Sequence, residues 1–259
     1  MLKLQDKVAL VTGAGRGIGR AIALDYGLEG AKVAVTARTA AELDEVVGTI
    51  KSKGGKATAI VADLSDRKTV KRVIQSATDT FGSVDILVNN AGIGSSSDPM
   101  PVIDFDDNFW DLTLTLNLTI PYLLSKAVLP AMLKKRWGRI INIASINSKV
   151  PSLHGAAYTA SKHGLWGFTK TLALEVANNG ITVNAICPGP VHTLMSDRRV
   201  EYDAQRRGVS YQDQEASLTP MGRRLEPEEV SPLAVFLASD DAKMVTGQGW
   251  NVCGGVAFV

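Results

Sequence analysis

Cysteine is scarce in this chain. Only Cys187 and Cys253 occur in 259 residues, in apolar surroundings and without C-x-x-C spacing. That excludes a disulfide framework and a thiolate metal or redox centre, and it reads as two buried small hydrophobes. Histidine is scarcer relative to its chemistry. His154, His163 and His192 form no ligand constellation, so no metal is expected. Charge of one sign is missing too: the net charge is +2, with no long like-charged block, which argues against a general affinity for nucleic acid. The one basic cluster, Lys134, Lys135, Arg136 and Arg139, reads as a solvated helix end. No apolar run reads as long enough to span a bilayer. The chain enters a strand-like run within its first ten residues, which leaves no room for a leader segment. The expectation is therefore no membrane association and a cytoplasmic location.

What is present is regular alternation. Short apolar runs at Val8–Val11, Lys32–Ala37, Ala57–Val61, Ile86–Asn89, Arg139–Ala144, Thr182–Ile186 and Gly249–Val252 read as strands covered on both faces. Helical patterns fall between them, at Ile18–Leu28, Ala41–Lys53, Lys68–Phe81, Asp107–Leu133, Tyr158–Asn178 and Glu228–Ala238. This is the signature of an α/β chain: a doubly wound, seven-stranded parallel sheet of Rossmann type with helices on both faces. With no repeat and no linker, residues 1–259 read as a single domain. Two stretches interrupt the pattern. Gly92–Asp104 reads as a loop. Thr193–Leu225 is a long polar connection, either a substrate lid or a static surface excursion.

The first strand runs into Thr12-Gly13-Ala14-Gly15-Arg16-Gly17-Ile18-Gly19, a G-x-x-x-G-x-G pattern in which Ile18 stands where the commoner dinucleotide fingerprint ends in glycine. Glycines there let the backbone turn tightly and approach a pyrophosphate resting on a helix N-terminus. The second strand ends in Ala37 and Arg38, where an NAD-binding fold usually presents an acid to the adenosine ribose. Arg38, with Arg16 nearby, suits a 2′-phosphate instead, so NADP(H) is the preferred cofactor and NAD(H) stays open. Asp63, followed by Leu64, ends the third strand and either accepts from the adenine amino group or caps the following helix. Asn90, Ala91 and Gly92 follow the fourth strand, at the carboxyl edge where such sheets bind ligands.

Tyr158 and Lys162 stand four residues apart in a helical run, hence one turn apart on one face. An ammonium so placed is expected to lower the phenol pKa, which suits proton transfer in a carbonyl–alcohol interconversion. Ser145 lies thirteen residues upstream.

Together these residues resemble the classical short-chain dehydrogenase/reductase family. The matching motifs are TGAGRGIG at 12–19, NNAG at 89–92, Asn117 in Leu-Asn-Leu, Ser145, Tyr158-x-x-x-Lys162 and Cys187-Pro188-Gly189-Pro190, in family order along essentially the whole chain. The resemblance implies that Tyr158 is the general acid or base and that Ser145 polarises the substrate oxygen. It implies that Lys162 lowers the Tyr158 pKa and bonds the nicotinamide ribose, and that Asn117 holds a water of the proton relay. Asn90 then lies near the nicotinamide ribose, while Pro188, Gly189, Val191 and Thr193 belong to the carboxamide side. Homo-oligomers, dimers or tetramers, are expected, paired through the helices at 117–133 and 158–178. The apolar tail, residues 254–259, either packs on a partner or folds back.

Substrate residues are harder to assign. Asn147, His154, Pro190 and Leu194 are candidates. Asn147 and His154, with the charged connection, suggest a polar small molecule such as a sugar, polyol or hydroxy acid. His192 is expected to be solvent-exposed, and His163 to pack beside its helix. Reduction of a 3-oxoacyl thioester is the alternative. A remoter one is a nucleotide-sensing protein without activity, which the retained Tyr158 and Lys162 oppose.

Overall fold

Period-two alternation in the strands divides the core. A computed structural model describes residues 2–259. Its strands are β1 (Val8–Thr12), β2 (Lys32–Ala37), β3 (Lys56–Val61), β4 (Ile86–Asn89), β5 (Gly138–Ile143), β6 (Ile181–Pro188) and β7 (Gly249–Val252). They form one sheet in the order β3-β2-β1-β4-β5-β6-β7, every neighbouring pair parallel. Successive side chains point to opposite faces. Ala9, Val11, Val33, Val35 and Val88 therefore join one core, with Ile22 and Tyr26 of α1 (Gly17–Leu28), Leu43 and Val46 of α2 (Ala40–Ser52) and Ala234 near the C-terminus. Leu10, Ala34, Leu87, Ile140 and Val183 join the other. It is covered by Val73 of α3 (Thr69–Phe81), Leu124 and Val128 of α5 (Ile120–Lys135) and Leu172 of α6 (Ala156–Val176). The strand order reverses between β1 and β4. That reversal opens the crevice in which such sheets take ligands.

The helix expected over Asp107–Leu133 is three pieces. α4 (Asp107–Leu114) starts where the Asp106 carboxylate accepts from the Asn108 and Phe109 N–H groups. A π-helical turn spans Thr115–Thr119, and α5 follows. Contrary to the sequence expectation, the whole stretch Asp107–Lys135 is long and apolar enough to cross a membrane by length and composition alone. Here its Ile120, Leu124, Val128 and Met132 are buried against the sheet. The basic cluster also divides. Lys134 and Lys135 end α5, as expected of cations at a helix C-terminus. Arg139, by contrast, lies in β5 and is buried, donating to the Ser239 and Gly138 carbonyls and to Asp240. Burial pushes its pKa down.

Thr193–Leu225 is ordered into α7 (Leu194–Arg207) and α8 (Tyr211–Ala216), followed later by α9 (Ser231–Ala238). The polar sequence hid these helices because they lie on the surface and bury few residues. Val191 and Leu225 pair as an isolated parallel bridge, so the excursion leaves and returns at one point. Arg224, only 3% exposed, ties it internally: its guanidinium bonds Asp197 of α7, Glu215 of α8 and the Tyr211 hydroxyl. The chain's last residues fold back, with Asn251 Nδ2 donating to the Ala257 and Val259 carbonyls, while Phe258 stays 90% exposed.

Candidate active site

The dinucleotide loop is built around positive φ. Gly13 and Gly17 sit at +62° and +56°, a region that favours glycine. Asn90 braces the loop from just past β4: its Nδ2 donates to the Thr12 and Gly13 carbonyls at 2.9 and 3.0 Å. The Thr12 hydroxyl accepts in turn from the Asn90 and Ala91 N–H groups. A Cβ on Gly19 would stand 2.4 Å from both Asn90 Nδ2 and the Gly13 carbonyl. The loop thus has glycine where the backbone must close on itself. Arg16 is the N-cap of α1 and gives it no side-chain cap. The first-turn N–H groups of Gly17, Ile18 and Gly19 therefore lack a side-chain acceptor from that cap, which fits a bound pyrophosphate.

Arg38 is exposed just past β2, beside Asp63, whose carboxyl it helps to acidify. The larger cause of that shift is the hydrogen bond from the Ser65 N–H to Asp63 Oδ1 at 2.9 Å. Asp63 thus shapes the turn after β3, which Leu64 anchors by burial. Sequence reasoning missed Glu42. From the first turn of α2 its carboxylate reaches back to Arg16 at 3.7 Å, and a Cβ on Gly15 would stand 2.6 Å from Glu42 Oε2. Spacing gave no signal of this, since Glu42 lies beyond the expected end-of-strand position.

Tyr158 and Lys162 lie in the first half of α6, and Ser145 lies just beyond β5. Lys162 is buried, and its Nζ donates to the Ile143 carbonyl at 2.8 Å and lies 5.6 Å from the Tyr158 ring centroid. Ser145 Oγ accepts from the Asn147 N–H at 3.1 Å, capping a 3-10 turn. Asn117, 1% exposed, projects from the π turn. Its Oδ1 accepts from the Ile93 N–H and its Nδ2 donates to the Ile93 carbonyl, both at 2.9 Å. Nδ2 also reaches Ser161 Oγ at 3.1 Å, and that hydroxyl donates to the Tyr158 carbonyl. Asn117 therefore links the loop after β4 to the helix that carries Tyr158. Ser161 was not singled out from the sequence, where it is an ordinary helical serine.

The electrostatics correct one expectation. Tyr158 is not made acidic in the protein alone: burial pushes its pKa above the usual phenol value, offset in part by the neighbouring Ser145 hydroxyl. Burial instead pushes Lys162 down to about 8. Desolvation disfavours the charged form of each group, so it raises a phenol and lowers an ammonium. The ammonium moreover turns to a backbone carbonyl.

After β6, Gly189 donates to the Val252 carbonyl at 2.9 Å, and a Cβ there would meet Cys253 Cα at 2.9 Å. Beyond Pro188, Pro190 accepts from the Leu225 N–H, Val191 is buried and Thr193 caps α7 through Ser196 N–H. A Cβ on Gly17 would lie 3.1 Å from Thr193 Cγ2, so this loop reaches the glycine loop. Leu194 opens α7, 48% exposed. Asn147 Nδ2 donates to the Val150 and Pro151 carbonyls at 3.3 and 3.4 Å, and its Oδ1 lies 3.5 Å from the Ser145 hydroxyl. His154 Nδ1 is engaged by the Tyr202 hydroxyl at 2.6 Å. His192 is half-buried rather than exposed, between Glu215 and Glu226 at 3.7 and 3.8 Å. His163 is exposed on α6, its Nδ1 3.0 Å from the Thr159 carbonyl. Among the described residues no three metal-ligating side chains cluster.

Comparison with known proteins places this geometry. The short chain dehydrogenase family profile matches residues 7–204. The 3-oxoacyl-[acyl-carrier-protein] reductase FabG of Pseudomonas aeruginosa is 43% identical over 255 residues, covering 98% of this chain and 99% of the relative. D-beta-hydroxybutyrate dehydrogenase of Cupriavidus necator is 39% identical, covering 97% and 98%. A crystal structure of an actinorhodin polyketide ketoreductase variant with NADPH superposes with a TM-score of 0.91 at 39% identity, covering 96% and 97%. The chain belongs to the short-chain dehydrogenase/reductase family and is an NAD(P)-dependent oxidoreductase of secondary alcohols and ketones.

Proposed function

We propose that the chain is an NADP(H)-linked ketoreductase acting on the 3-oxo group of an acyl thioester or a similar β-keto compound. The observation that supports the chemistry best is the convergence of Ser145, Tyr158 and Lys162 at the end of β5, with Lys162 Nζ fixed 2.8 Å from the Ile143 carbonyl. When bound, the cofactor supplies a hydride to the substrate carbon. The protein's residues position the carbonyl and manage its proton. The Ser145 hydroxyl donates to the carbonyl oxygen as negative charge develops there. The Tyr158 phenol, held protonated by burial, donates its proton to that oxygen. Lys162 stabilises the phenolate that remains, and Asn117 holds the loop and helix that frame the relay. NADP(H) is favoured by the exposed guanidinium of Arg38 at the end of β2, with Arg16 across the loop.

The substrate class rests on the rim of the cleft. The polar choice depended on Asn147, His154 and the charged connection at 193–225; the Asn147 amide nitrogen and His154 Nδ1 are engaged by the protein, and Arg199 and Arg224 of the connection are paired with acids. The same segments also expose apolar side chains: Leu153 at 56%, Leu194 at 48% and Met195 at 40%. An acyl chain suits that rim better than a polyol, and the FabG relative acts on an acyl thioester by name. Hydroxy-acid oxidation is the second reading, supported by the hydroxybutyrate dehydrogenase relative. Residues 193–225 act as the cover of this cleft, since α7 starts at the cofactor loop and lies over residues 95–96 and 153–154.

Initial rates with acetoacetyl-coenzyme A, 3-hydroxybutyrate and a panel of polyols, each with both nicotinamide cofactors, test these assignments. Thioester reduction with NADPH is expected to exceed every other combination. Turnover confined to polyols would overturn the substrate class.

A further inference from the structure

α7 is fastened to the cleft at its open side, away from the Arg224 cluster at its root. Tyr202 Oη lies 2.6 Å from His154 Nδ1. One turn before it, Arg199 Nη2 donates to the Leu153 carbonyl at 2.8 Å. Asp203 holds that guanidinium from behind, accepting from Nε at 2.7 Å and from Nη2 at 3.2 Å. The guanidinium carbon also stands 5.4 Å from the Tyr202 ring centroid. Residues 153 and 154 are thus gripped by a side chain each from consecutive turns of one helix.

The gripped segment is backbone that a histidine does not adopt freely. His154 has φ of +55°, in the left-handed region. It lies between Ser145 and Tyr158 and is followed by Gly155, the N-cap of α6. Gly155 is itself confined: a Cβ there would stand 3.0 Å from Ser152 Oγ and 3.1 Å from Ser95 Cβ. An unfavourable backbone conformation persists only where its surroundings impose it. The side-chain contact that the structure provides at His154 is the Tyr202 hydroxyl.

We infer that Tyr202 is a positioning residue for substrate. Through its hydrogen bond it holds His154 in the left-handed conformation, and so fixes residues 152–155 as the wall between the cover and the catalytic serine and tyrosine. This rests on the reading of residues 193–225 as the cleft cover. Substrate binding depends on the pair, whereas dinucleotide binding, for which the glycine loop would be the seat, does not. An asparagine at 154 satisfies both demands. It tolerates the left-handed region, and its amide pairs with a hydroxyl as donor or acceptor.

The test uses Tyr202→Phe, His154→Ala, His154→Asn, the Tyr202→Phe/His154→Ala double variant and Arg199→Ala. Hydrogen exchange of the 152–155 amides needs no substrate. It should quicken by about tenfold in Tyr202→Phe and His154→Ala, the loss of one ordinary to strong hydrogen bond, and stay at the wild-type rate in His154→Asn. KM for the thioester should rise by about the same factor in either single variant with kcat little changed. The double variant should be no worse than either single one, because both remove one interaction. The NADPH dissociation constant, read by nicotinamide fluorescence, should not move. Effects that multiply in the double variant, or unaltered exchange in Tyr202→Phe, would overturn the inference. If Arg199→Ala still raises KM in that event, the cover reading stands and the Tyr202 assignment alone has failed. If Arg199→Ala leaves KM unchanged as well, both have failed.

Discussion

Lys162 Nζ donates to the carbonyl of Ile143, the last residue of β5, at 2.8 Å. That bond joins the helix carrying Tyr158 to the strand that delivers Ser145 two residues later. One buried cation therefore sets the relation between Ser145 and Tyr158, the two groups proposed to meet the substrate oxygen. Its burial also makes it the group whose pKa is moved furthest toward neutrality, to about 8.

That shift gives a pH signature. The folded pKa lies below the unfolded one, so below pH 8 both states keep the proton, and above it the folded state releases its proton first. Stability should rise with pH between about 8 and 10.5, by about 2 kcal/mol between pH 7.5 and 9.5. Urea unfolding at those two pH values, wild type against Lys162→Met, isolates the contribution. Parallel changes in the two proteins would show that Lys162 carries no depressed pKa.

Removing the phenol oxygen should separate chemistry from binding. Tyr158→Phe should lower kcat by at least about 100-fold, the usual contribution of a positioned acid, with NADPH affinity nearly unchanged. Stopped-flow turnover and fluorescence titration read the two quantities. Retained turnover would move the proton donor elsewhere.

Cofactor choice should follow Arg38. Arg38→Ala removes the cation nearest the end of β2, and NADPH should weaken by about tenfold or more, the loss of a charge-assisted hydrogen bond, while NADH is hardly altered. Equal weakening of both would show that Arg38 does not read the 2′-phosphate.

Gly19 should resist a change that helices ordinarily welcome. Alanine is favoured over glycine in a helix by about 1 kcal/mol. Here its methyl would stand 2.4 Å from the Gly13 carbonyl, and backbone must shift. Gly19→Ala should cost about 1–3 kcal/mol and weaken NADPH binding, measured by thermal unfolding with and without cofactor. A stabilised variant would show that the loop has room.

Strand–helix alternation was legible in the chain alone, because strands covered on both faces must be apolar throughout. The chain's glycine spacing marked the loop after β1, because positive φ at Gly13 and Gly17 restricts the choice of residue. Its Tyr158–Lys162 spacing placed both on one helical face. Features that depend on distant neighbours emerged only on folding. The helix over 107–133 opens into a π turn where Asn117 grips the backbone of Ile93, a contact across 24 positions. Arg139 reads as a surface cation but is buried, where the Ser239 carbonyl and Asp240, 100 and 101 positions away, accept from its guanidinium. Glu42 reaches Arg16 only once α2 packs beside the glycine loop. The pKa order of Tyr158 and Lys162 was likewise decided by burial, since spacing fixes how far apart two charges lie but not how much water surrounds them.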